Sequence, residues 1–315
     1  MADEQRPPSI AVVGSLNIDL IAYTSRVPSA GETVIGQRFQ MGFGGKGANQ
    51  AVMAARLGAT VAMVGALGDD VYAGMTADNL IAQGVDASNV ARFDGSSGVA
   101  PIWVEPDGTN RIIVVPGSND LVDPEAAAAA IRSMAELDVV IGQLEIPQRV
   151  TLAAFRAARA RGALTILNPA PAAQLDPELL AVADWLIPNE TEFAILASIE
   201  RLDPEDDAQI ATAFGPHRAP RLLVTLGSRG AALLAASGAV ERIAATPVKA
   251  IDTTGAGDAF VGAFAVGLAG GLGEVAAIKL GIACASDSVT RPGTQSSFAT
   301  REAASAILSR IRAGD

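Results

Sequence analysis

The sequence predicts an α/β fold, a three-layer sandwich in which a mostly parallel central sheet is flanked by helices, with a small antiparallel sheet beside it. Short apolar, strand-like segments alternate with helical segments along most of the 315 residues. This alternation is typical of parallel sheets covered by helices on both faces. Two stretches interrupt it: residues 16–43, where polar and apolar residues mix without a helical pattern, and residues 98–115, which contain two β-rich runs.

The strands of the central sheet are predicted where short apolar runs stand between turn residues. These runs occupy residues 10–14, 60–65, 139–142, 163–168, 185–189 and 221–227. Helices are predicted between them, at residues 48–58, 72–83, 124–136, 148–161 and 189–197. Gly58 and Gly84 are typical stop signals for the first two helices. The last third is predicted to be mostly helical, at residues 255–270, 274–289 and 301–312.

The two interrupting stretches are predicted to pair into the small antiparallel sheet. Residues 98–115 contain Asp107-Gly108 between two β-rich runs, which is a hairpin signal. A small sheet with one apolar face must cover a substrate pocket or a partner subunit. No low-complexity linker or internal repeat is present. The chain is therefore predicted to be a single domain over residues 1–315, with lid insertions at about 16–43 and 98–115.

Composition restricts the function. The net charge of -11 argues against a nucleic-acid partner, which requires clustered Lys and Arg, although it leaves a phosphate ligand possible. One histidine, His217, and one cysteine, Cys284, give little support to a zinc site or a Ser-His-Asp triad. His217 is interpreted as a loop residue and Cys284 as packing. Catalysis is therefore expected to depend on Asp, Glu, Lys, Asn and backbone groups.

The cellular compartment is predicted from the lack of a possible disulfide, of a signal peptide and of a membrane span. A single cysteine cannot form a disulfide within the chain, which fits a reducing cytosol. The first residues, MADEQRPPS, have neither a basic region nor an apolar region of a signal peptide. No apolar stretch is long enough to span a membrane. We therefore expect a cytoplasmic protein with no membrane partner.

The segment DTTGAGDAF at residues 252–260 carries the strongest chemical signal. Gly255, Ala256 and Gly257 place backbone N–H groups at the start of a helix, where the helix dipole favours an anion. Asp258 follows in the first turn. Alone it is interpreted as an ordinary N-terminal acid, but beside a loop without bulky side chains it is a candidate general base. A phosphate cradle next to a carboxylate is suited to phosphoryl transfer to a hydroxyl.

Two other phosphate motifs fail. A dinucleotide site needs G-x-G-x-x-G, and Phe260 occupies the third glycine position. A P-loop needs Ser or Thr after Gly-Lys, and Gly47 follows Lys46.

Two earlier segments are candidates for binding the acceptor of the phosphoryl group. In GFGGKGANQAV, residues 42–52, glycines surround Lys46 at the start of a helix. The alternatives are a flexible turn with a solvated lysine, or a backbone lying against a small polar ligand with Lys46 and Asn49 as donors. In GSLNIDL, residues 14–20, Asn17 and Asp19 share one face of an extended chain. Two interpretations are open: the ordinary alternation of polar and apolar residues on a half-exposed strand, or a pair of side chains that recognises vicinal hydroxyls.

Seven motifs in order resemble one family. GSLNIDL, GGKGANQAV, GQLEIP, NPAPA, PNETE, TLGSRG and DTTGAGDAF are similar to the ribokinase branch of the ribokinase-like (PfkB) carbohydrate kinases, from about residue 10 to about residue 300. The resemblance implies the ribokinase-like fold. It also implies ATP-dependent phosphorylation of the terminal, 5-hydroxyl of D-ribose to give ribose 5-phosphate and ADP.

The resemblance also implies roles for individual residues. Asp258 would be the base, and Gly255, Ala256 and Gly257 the anion hole. The sugar would contact Asn17, Asp19, Gly45, Lys46, Asn49, Glu145 and Asp258. The nucleotide would contact Asn189, Thr225, Leu226, Gly227, Ser228, Arg229, Gly230 and Gly257. Glu192 would help to hold Mg²⁺ through water. A potassium ion would be coordinated by Asp252, Thr254, Ser288, Arg291, Gly293 and Ser297, several through backbone carbonyls.

Read from the residues alone, some of these positions have a second interpretation. Asn189 and Glu192 have the spacing of a helix capping box. TLGSRG could be a plain β-turn, and Glu145 a solvated loop acid.

Alternatives also remain for the function. The same chemistry could act on deoxyribose, fructose or a nucleoside, although a nucleoside needs an apolar slot for which the lid offers few aromatic residues, such as Phe43 and Trp103. A non-catalytic sugar or nucleotide sensor is a lower-ranked alternative, because Asp258 is present. The expected partners are ribose and ATP. A homodimer formed through the lid is also expected.

Overall fold

The computed structural model describes residues 6–212, 221–235 and 237–314; the predicted loop around His217 lies outside them. In chain order the strands are β1 (Ser9–Val13), β2 (Asn17–Tyr23), β3 (Arg38–Gly44), β4 (Thr60–Leu67), β5 (Val85–Arg92), β6 (Gly98–Val104), β7 (Asn110–Ile112), β8 (Val139–Gly142), β9 (Leu164–Leu167), β10 (Trp185–Leu186), β11 (Arg221–Thr225), β12 (Ala231–Leu234) and β13 (Val240–Ile243). The helices are α1 (Lys46–Arg56), α2 (Val71–Ala82), α3 (Pro124–Ser133), α4 (Gln148–Ala160), α5 (Pro177–Val182), α6 (Glu190–Leu196), α7 (Asp207–Thr212), α8 (Ala256–Ala269), α9 (Glu274–Ser288) and α10 (Arg301–Ala313).

Nine strands form the large sheet, in the order β13-β12-β11-β10-β9-β8-β1-β4-β5. The strands from β11 to β5 in this order pair in parallel. At the other edge, β12 and β13 add antiparallel partners. The parallel strands therefore present their carboxyl ends at one edge, where ligands bind in open α/β sheets.

Helices cover both faces of this sheet, and the alternation of β1 shows how. Ile10 and Val12 belong to a core with α1, α2, α8, α9 and α10, whereas Ala11 and Val13 belong to a second core with α3 to α7. A strand that is buried on both faces has a continuous run of apolar residues, and residues 10–13, IAVV, form such a run. The predicted fold class is confirmed.

The lid is a four-stranded sheet of order β3-β2-β6-β7. Its outer pairs, β2 with β3 and β6 with β7, are antiparallel as predicted. The central pair, β2 with β6, is parallel. Each of these two strands follows a parallel strand of the large sheet after a short connection, β2 after β1 and β6 after β5, so both leave in the same direction. The Asp107-Gly108 turn closes the β6–β7 hairpin, with the Gly108 N–H donating to the Glu105 carbonyl.

Predicted and observed boundaries agree closely, but five elements are additional: β5, β12, β13, α5 and α7. Strand β5, VDASNVAR, has mostly partly buried or exposed residues, so it lacks an apolar run. Helices α5 and α7 have six residues each, too short for helical periodicity to show. In the described residues no helix is long and apolar enough to cross a membrane.

Candidate active site

Asp258 lies in the first turn of α8 and is only 6% exposed. Each of its carboxylate oxygens accepts one amide N–H: Oδ2 from Asn49 Nδ2 at 2.8 Å and Oδ1 from Gln50 Nε2 at 3.1 Å. Both donors belong to α1, which packs against α8. Hydrogen bonds to the charged form of a carboxylate favour that form. The arrangement suits a group that must be ionised before it accepts a proton.

The start of α8 combines one constrained glycine with one open glycine. Gly255, the N-cap, has φ +77°, and a Cβ there would lie 2.7 Å from Thr294 Cγ2. A Cβ on Gly257 would meet no protein atom within 4 Å. The Ala256 N–H already donates to the Thr253 carbonyl, over a long 3.3 Å. A ligand at this helix start would therefore approach over Gly257, where the backbone is open.

A cavity of about 190 Å³ opens beside Asp258. It lies at the carboxyl edge of the parallel strands; of the predicted sugar contacts, Lys46 and Asp258 line it, whereas Asp19 lines a separate cavity. The lining of the cavity beside Asp258 includes Lys46, Asn168, Asn189, Glu192, Thr225, Gly255, Gly257 and Asp258. The structure therefore brings together residues from five of the seven motifs.

Charges around this cavity are mixed. Burial opposes the charge of Lys46, but Asp258, Glu145 and Glu192 outweigh it and raise the pKa of the ammonium above its ordinary value. Burial, helped by Asp258, raises the pKa of Glu192, against the opposing effects of the Asn189 N–H and Lys46. Lys46 is therefore a permanent cation facing the carboxylates of the site.

Glu145 is partly buried and is not the solvated loop acid considered above. Its Oε2 accepts from the Ser15 hydroxyl at 2.5 Å and from the Lys46 N–H at 2.9 Å. It therefore ties the end of β1 to the start of α1, next to the predicted sugar contacts.

Asn17 and Asp19 lie on β2, both buried, as the extended spacing predicted. Asn119 Nδ2 donates to Asn17 Oδ1 at 2.8 Å, so the Asn17 amide nitrogen is the group left for a ligand. The Thr294 hydroxyl donates to Asp19 Oδ2 at 3.3 Å. Burial raises the pKa of Asp19 to about 7, opposed by this hydroxyl and increased by Glu145 and Asp258.

The glycines of GFGGKG allow a close approach, but the approaching atoms belong to the chain itself. A Cβ on Gly44 would lie 2.3 Å from Asp19 Oδ1. On Gly45, with φ +85°, it would lie 2.7 Å from the Asn17 backbone nitrogen, and on Gly47 it would lie 2.6 Å from that of Ser15. These glycines let β3 and the start of α1 pack against β2 and the connection that precedes it, and a ligand contact at them stays a prediction. Gly45 as a sugar contact stays a prediction.

On the nucleotide side, Asn189 and Glu192 do form the capping box of α6. The Asn189 side chain accepts from the Glu192 N–H at 2.8 Å, and Glu192 Oε2 accepts from the Asn189 N–H at 2.9 Å. Both also line the cavity, so a structural role and a ligand contact are compatible. The turn after β11 contains a short 3-10 helix at Gly227–Arg229, which Arg229 joins to α6 through an ion pair with Glu190. Of the six predicted residues 225–230, Thr225 lines the cavity.

The predicted cation-binding residues converge. Asp252 Oδ2 accepts from the Gly293 N–H at 2.9 Å, and Oδ1 accepts from the Thr254 hydroxyl at 2.7 Å. The Arg291 side chain is an ion-pair partner of Asp287 and donates to the Ser297 carbonyl at 2.7 Å. Arg291 could therefore serve a cation only through its own carbonyl. The Ser288 hydroxyl donates to the Ala285 carbonyl within α9.

Several buried polar residues at this site were missed by reasoning from motifs. They are Gln50, Asn119, Gln143, Asn168, Thr294 and Gln295. Gln295 Nε2 donates to Asn49 Oδ1 at 3.0 Å, which turns the Asn49 nitrogen towards Asp258. Gln50, Gln143 and Asn168 stand inside quoted motifs, and that position was the available signal.

A family model described as pfkB family carbohydrate kinase matches residues 7–301. The chain belongs to the pfkB family of carbohydrate kinases. The resemblance inferred from the seven motifs is confirmed.

Relatives within the family include two sugar specificities. The chain is 41% identical over 302 residues to a ribokinase of Bacillus subtilis, across 96% of this chain and 99% of the relative. It is 37% identical over 303 residues to a deoxyribokinase of Salmonella typhimurium, across 95% and 98% respectively. A structure of Arabidopsis thaliana ribokinase complexed with ribose and ATP superposes with a TM-score of 0.86 at 32% identity, covering 96% of this chain and 99% of that one.

Proposed function

We propose that this pfkB kinase transfers the γ-phosphoryl group of ATP to the 5-hydroxyl of D-ribose, giving ribose 5-phosphate and ADP. The observation that carries the proposal is Asp258, a buried carboxylate held by two amides beside the open backbone of Gly257. Support for the sugar comes from the ribokinase relatives and from a neighbouring structure complexed with ribose and ATP.

The residues of the chain divide the reaction between them. Asp258 accepts the proton of the attacking hydroxyl as the new phosphate ester bond forms. Gly255, Ala256 and Gly257 present N–H groups to the transferring phosphoryl oxygens. Lys46 supplies a fixed positive charge near the same point. Asn17, Asp19, Gly45, Asn49 and Glu145 hold and orient the sugar.

ATP lies, in this proposal, along the Asn189 and Thr225 side of the cavity, with residues 225–230 and Gly257 as contacts. Mg²⁺ usually binds through one or two carboxylates together with substrate phosphates. Glu192, partly buried at the cavity wall, fits that requirement through a water molecule. When bound, the ion neutralises phosphate charge.

We also propose a potassium site formed by Asp252, Thr254, Ser288, Arg291, Gly293 and Ser297. The donors that these residues offer are all oxygens, which suit a hard cation. The site adjoins the start of α8, because Thr254 and Gly255 are consecutive. Its loop also reaches the sugar residues through Thr294 and Asp19.

Two further parts of the proposal concern the setting. The apolar outer surface of the lid supports a homodimer in which two lids face each other.

The single cysteine, Cys284, is fully buried. Burial, with a smaller effect of Asp287, raises the pKa of its thiol to about 12, so the thiol stays protonated. We propose a cytoplasmic enzyme on the basis of this cysteine usage.

A panel of pentoses, deoxypentoses, hexoses and nucleosides with coupled ADP detection tests the function. We expect the highest kcat/KM with ribose. Deoxyribose is the specific alternative, because a deoxyribokinase has 37% identity. A higher kcat/KM for deoxyribose or for a nucleoside would contradict the ribose assignment while keeping the chemistry.

Asp258→Asn is the matched catalytic control. It keeps the shape of the side chain but removes the base, so kcat should fall by at least ~10² while sugar and ATP binding change little. Calorimetric titration with ribose and ADP measures the binding. Turnover close to wild type would contradict the role of Asp258, and binding without turnover in the wild type would favour the sensor.

A further inference from the structure

Gln50 is a fully buried residue that contacts the proposed base. Its exposure is 0%, and it does not line the cavity beside Asp258. Its Nε2 donates to Asp258 Oδ1 and to Asn168 Oδ1, each at 3.1 Å. Gln50 can therefore influence the reaction only through its neighbours.

The orientation of this amide is set by Gln143. Gln143 Nε2 donates to Gln50 Oε1 at 2.7 Å, so the Gln50 oxygen faces away from Asp258. If the Gln50 amide rotated by half a turn, its oxygen would face the Asp258 carboxylate and its nitrogen would face another donor. Both contacts would be repulsive. The pair of glutamines therefore presents a hydrogen-bond donor, and not an acceptor, to Asp258.

Gln143 holds this orientation at a cost. Its Oε1 is buried and has no hydrogen-bond partner among the residues that the structure describes. A buried unsatisfied acceptor destabilises a protein by about 1–3 kcal/mol. Gly14 leaves the room for this oxygen, because a Cβ at Gly14 would lie 2.0 Å from it. An unsatisfied group of this kind, joined to the proposed base through Gln50, calls for a functional explanation.

We propose that Gln50, oriented by Gln143, is a positioning residue for Asp258: its amide N–H restrains Oδ1 and stabilises the ionised carboxylate that accepts the sugar proton. The proposal rests on the proposed function, in which Asp258 is the base. Asn49, the other donor to Asp258, belongs to the predicted sugar contacts and can exchange partners when a sugar binds. Gln50 has no such second task, because it is walled off from the cavity.

The test is Gln50→Met, which keeps the length of the side chain and removes the donor. We expect kcat to fall about 10- to 100-fold, because a misplaced catalytic group loses rate on this scale. The acidic limb of the kcat/KM profile should move to higher pH, because a charge-assisted hydrogen bond to the carboxylate is lost. KM values for sugar and ATP should change by less than about threefold.

The matched control is Gln209→Met, the same change at a glutamine of α7 whose Oε1 accepts from the Asp203 N–H. It should leave kcat and the pH profile as in the wild type. If thermal denaturation shows that Gln50→Met is folded, and its pH profile equals that of the wild type, the positioning role is overturned.

Gln143→Met keeps the test decisive if Gln50→Met does not fold. It removes the donor to Gln50 Oε1, so the Gln50 amide is held only by its contacts with Asp258 and Asn168. We expect a pH shift in the same direction as in Gln50→Met but smaller, with a smaller loss of kcat. An unchanged profile in Gln143→Met would overturn the proposed orientation.

A double-mutant cycle separates the role of Asp258 as the base from the role of Gln50 as its positioning residue. In the Asp258→Asn background, adding Gln50→Met should change the single-turnover rate by less than about threefold, because residues acting as one unit are not additive. If the rate losses of the two single variants multiply in the double variant, Gln50 acts independently of Asp258. Full turnover of Asp258→Asn alone would refute the base assignment, whereas a slow Asp258→Asn with a normal Gln50→Met would refute only the positioning role.

Discussion

Asp19 is a carboxyl group buried in the lid strand β2, with an exposure of 8%. Within the part of the chain that the structure describes, the hydrogen-bond donor to its side chain is the Thr294 hydroxyl, at 3.3 Å. One long hydrogen bond offsets little of the free energy lost when a carboxylate leaves water. Its partner on β3 is Gly42, which has no side chain that could donate a further hydrogen bond.

The pKa of Asp19 has a consequence for stability. Its value of about 7 lies above the ordinary 3.8, chiefly because of burial. Between these two values the native protein keeps a proton that the unfolded chain has released. Raising the pH through this window therefore lowers the free energy of unfolding, and the loss is complete above about pH 7.

We predict that Asp19→Asn, which is neutral at every pH, raises the Tm of the sugar-free protein at pH 8 by roughly 3–6 °C. The gain should be smaller at pH 5, where the wild-type carboxyl is protonated in the native state. Scanning calorimetry at both pH values measures it. A Tm difference that is the same at pH 5 and pH 8 would show that Asp19 is ionised in the native protein throughout.

At the scale of elements, α8 begins with two glycines that are required for different reasons. Gly255 has a left-handed backbone, with φ +77°, and packs against Thr294 and the Phe298 ring. Gly257 has ordinary helical surroundings and open space in front of it. The first glycine is needed by the fold, whereas the second is needed only if a ligand occupies that space.

We therefore predict opposite effects of two alanine substitutions. Gly257→Ala should leave Tm unchanged within about 2 °C and lower kcat/KM for ATP at least ~10-fold, because its methyl group enters the phosphoryl position. Gly255→Ala should destabilise the protein by about 1–3 kcal/mol through backbone strain and contact with Thr294. Calorimetry and steady-state kinetics on both variants measure this contrast. Wild-type kinetics of Gly257→Ala would remove the anion hole from this end of α8.

For the whole molecule, the lid presents an apolar surface away from Asp19. On β3, Phe39 is 66% and Met41 37% exposed, and alternation places both on the face opposite to Gln40 and Gly42. The register puts Phe39, Ala22 and Trp103 in one row across the sheet, and Met41, Leu20 and Pro101 in the next. Such a face on a small sheet is suited to an isologous contact with a second copy.

We predict that Phe39→Glu converts the proposed dimer to a monomer in multi-angle light scattering, because a charge would be buried at the centre of the contact. Tm of the monomeric fold should change little, since Phe39 is already exposed. Val71→Glu, at a 71% exposed position at the start of α2, is the matched control and should remain dimeric. A wild-type protein that is monomeric at micromolar concentration would contradict lid-mediated assembly.

From the sequence alone came the alternation of the longer strands and helices, the approximate bounds of the long helices, the hairpin at Asp107-Gly108 and the family, whereas β5, β12, β13, α5 and α7 were missed. The predicted features depend on residues close together in the chain, through the period of the apolar residues, the glycines that end helices and the short motifs. The same local patterns identified Asp258 and the pair Lys46 and Asn49 as candidates in two separate motifs, and the family resemblance implied that they belong to one site.

Which distant side chains meet became known from the folded structure. Thr294 contacts Asp19 across 275 positions, and Gln295 contacts Asn49 across 246. The Gln143–Gln50–Asp258 chain joins three motifs in the same way. It also showed that the lid strands β2 and β6 are parallel, and that Gly44, Gly45 and Gly47 accommodate β2. The physical reason is that a side-chain hydrogen bond depends on which strand ends and helices lie side by side, and local periodicity does not contain that information.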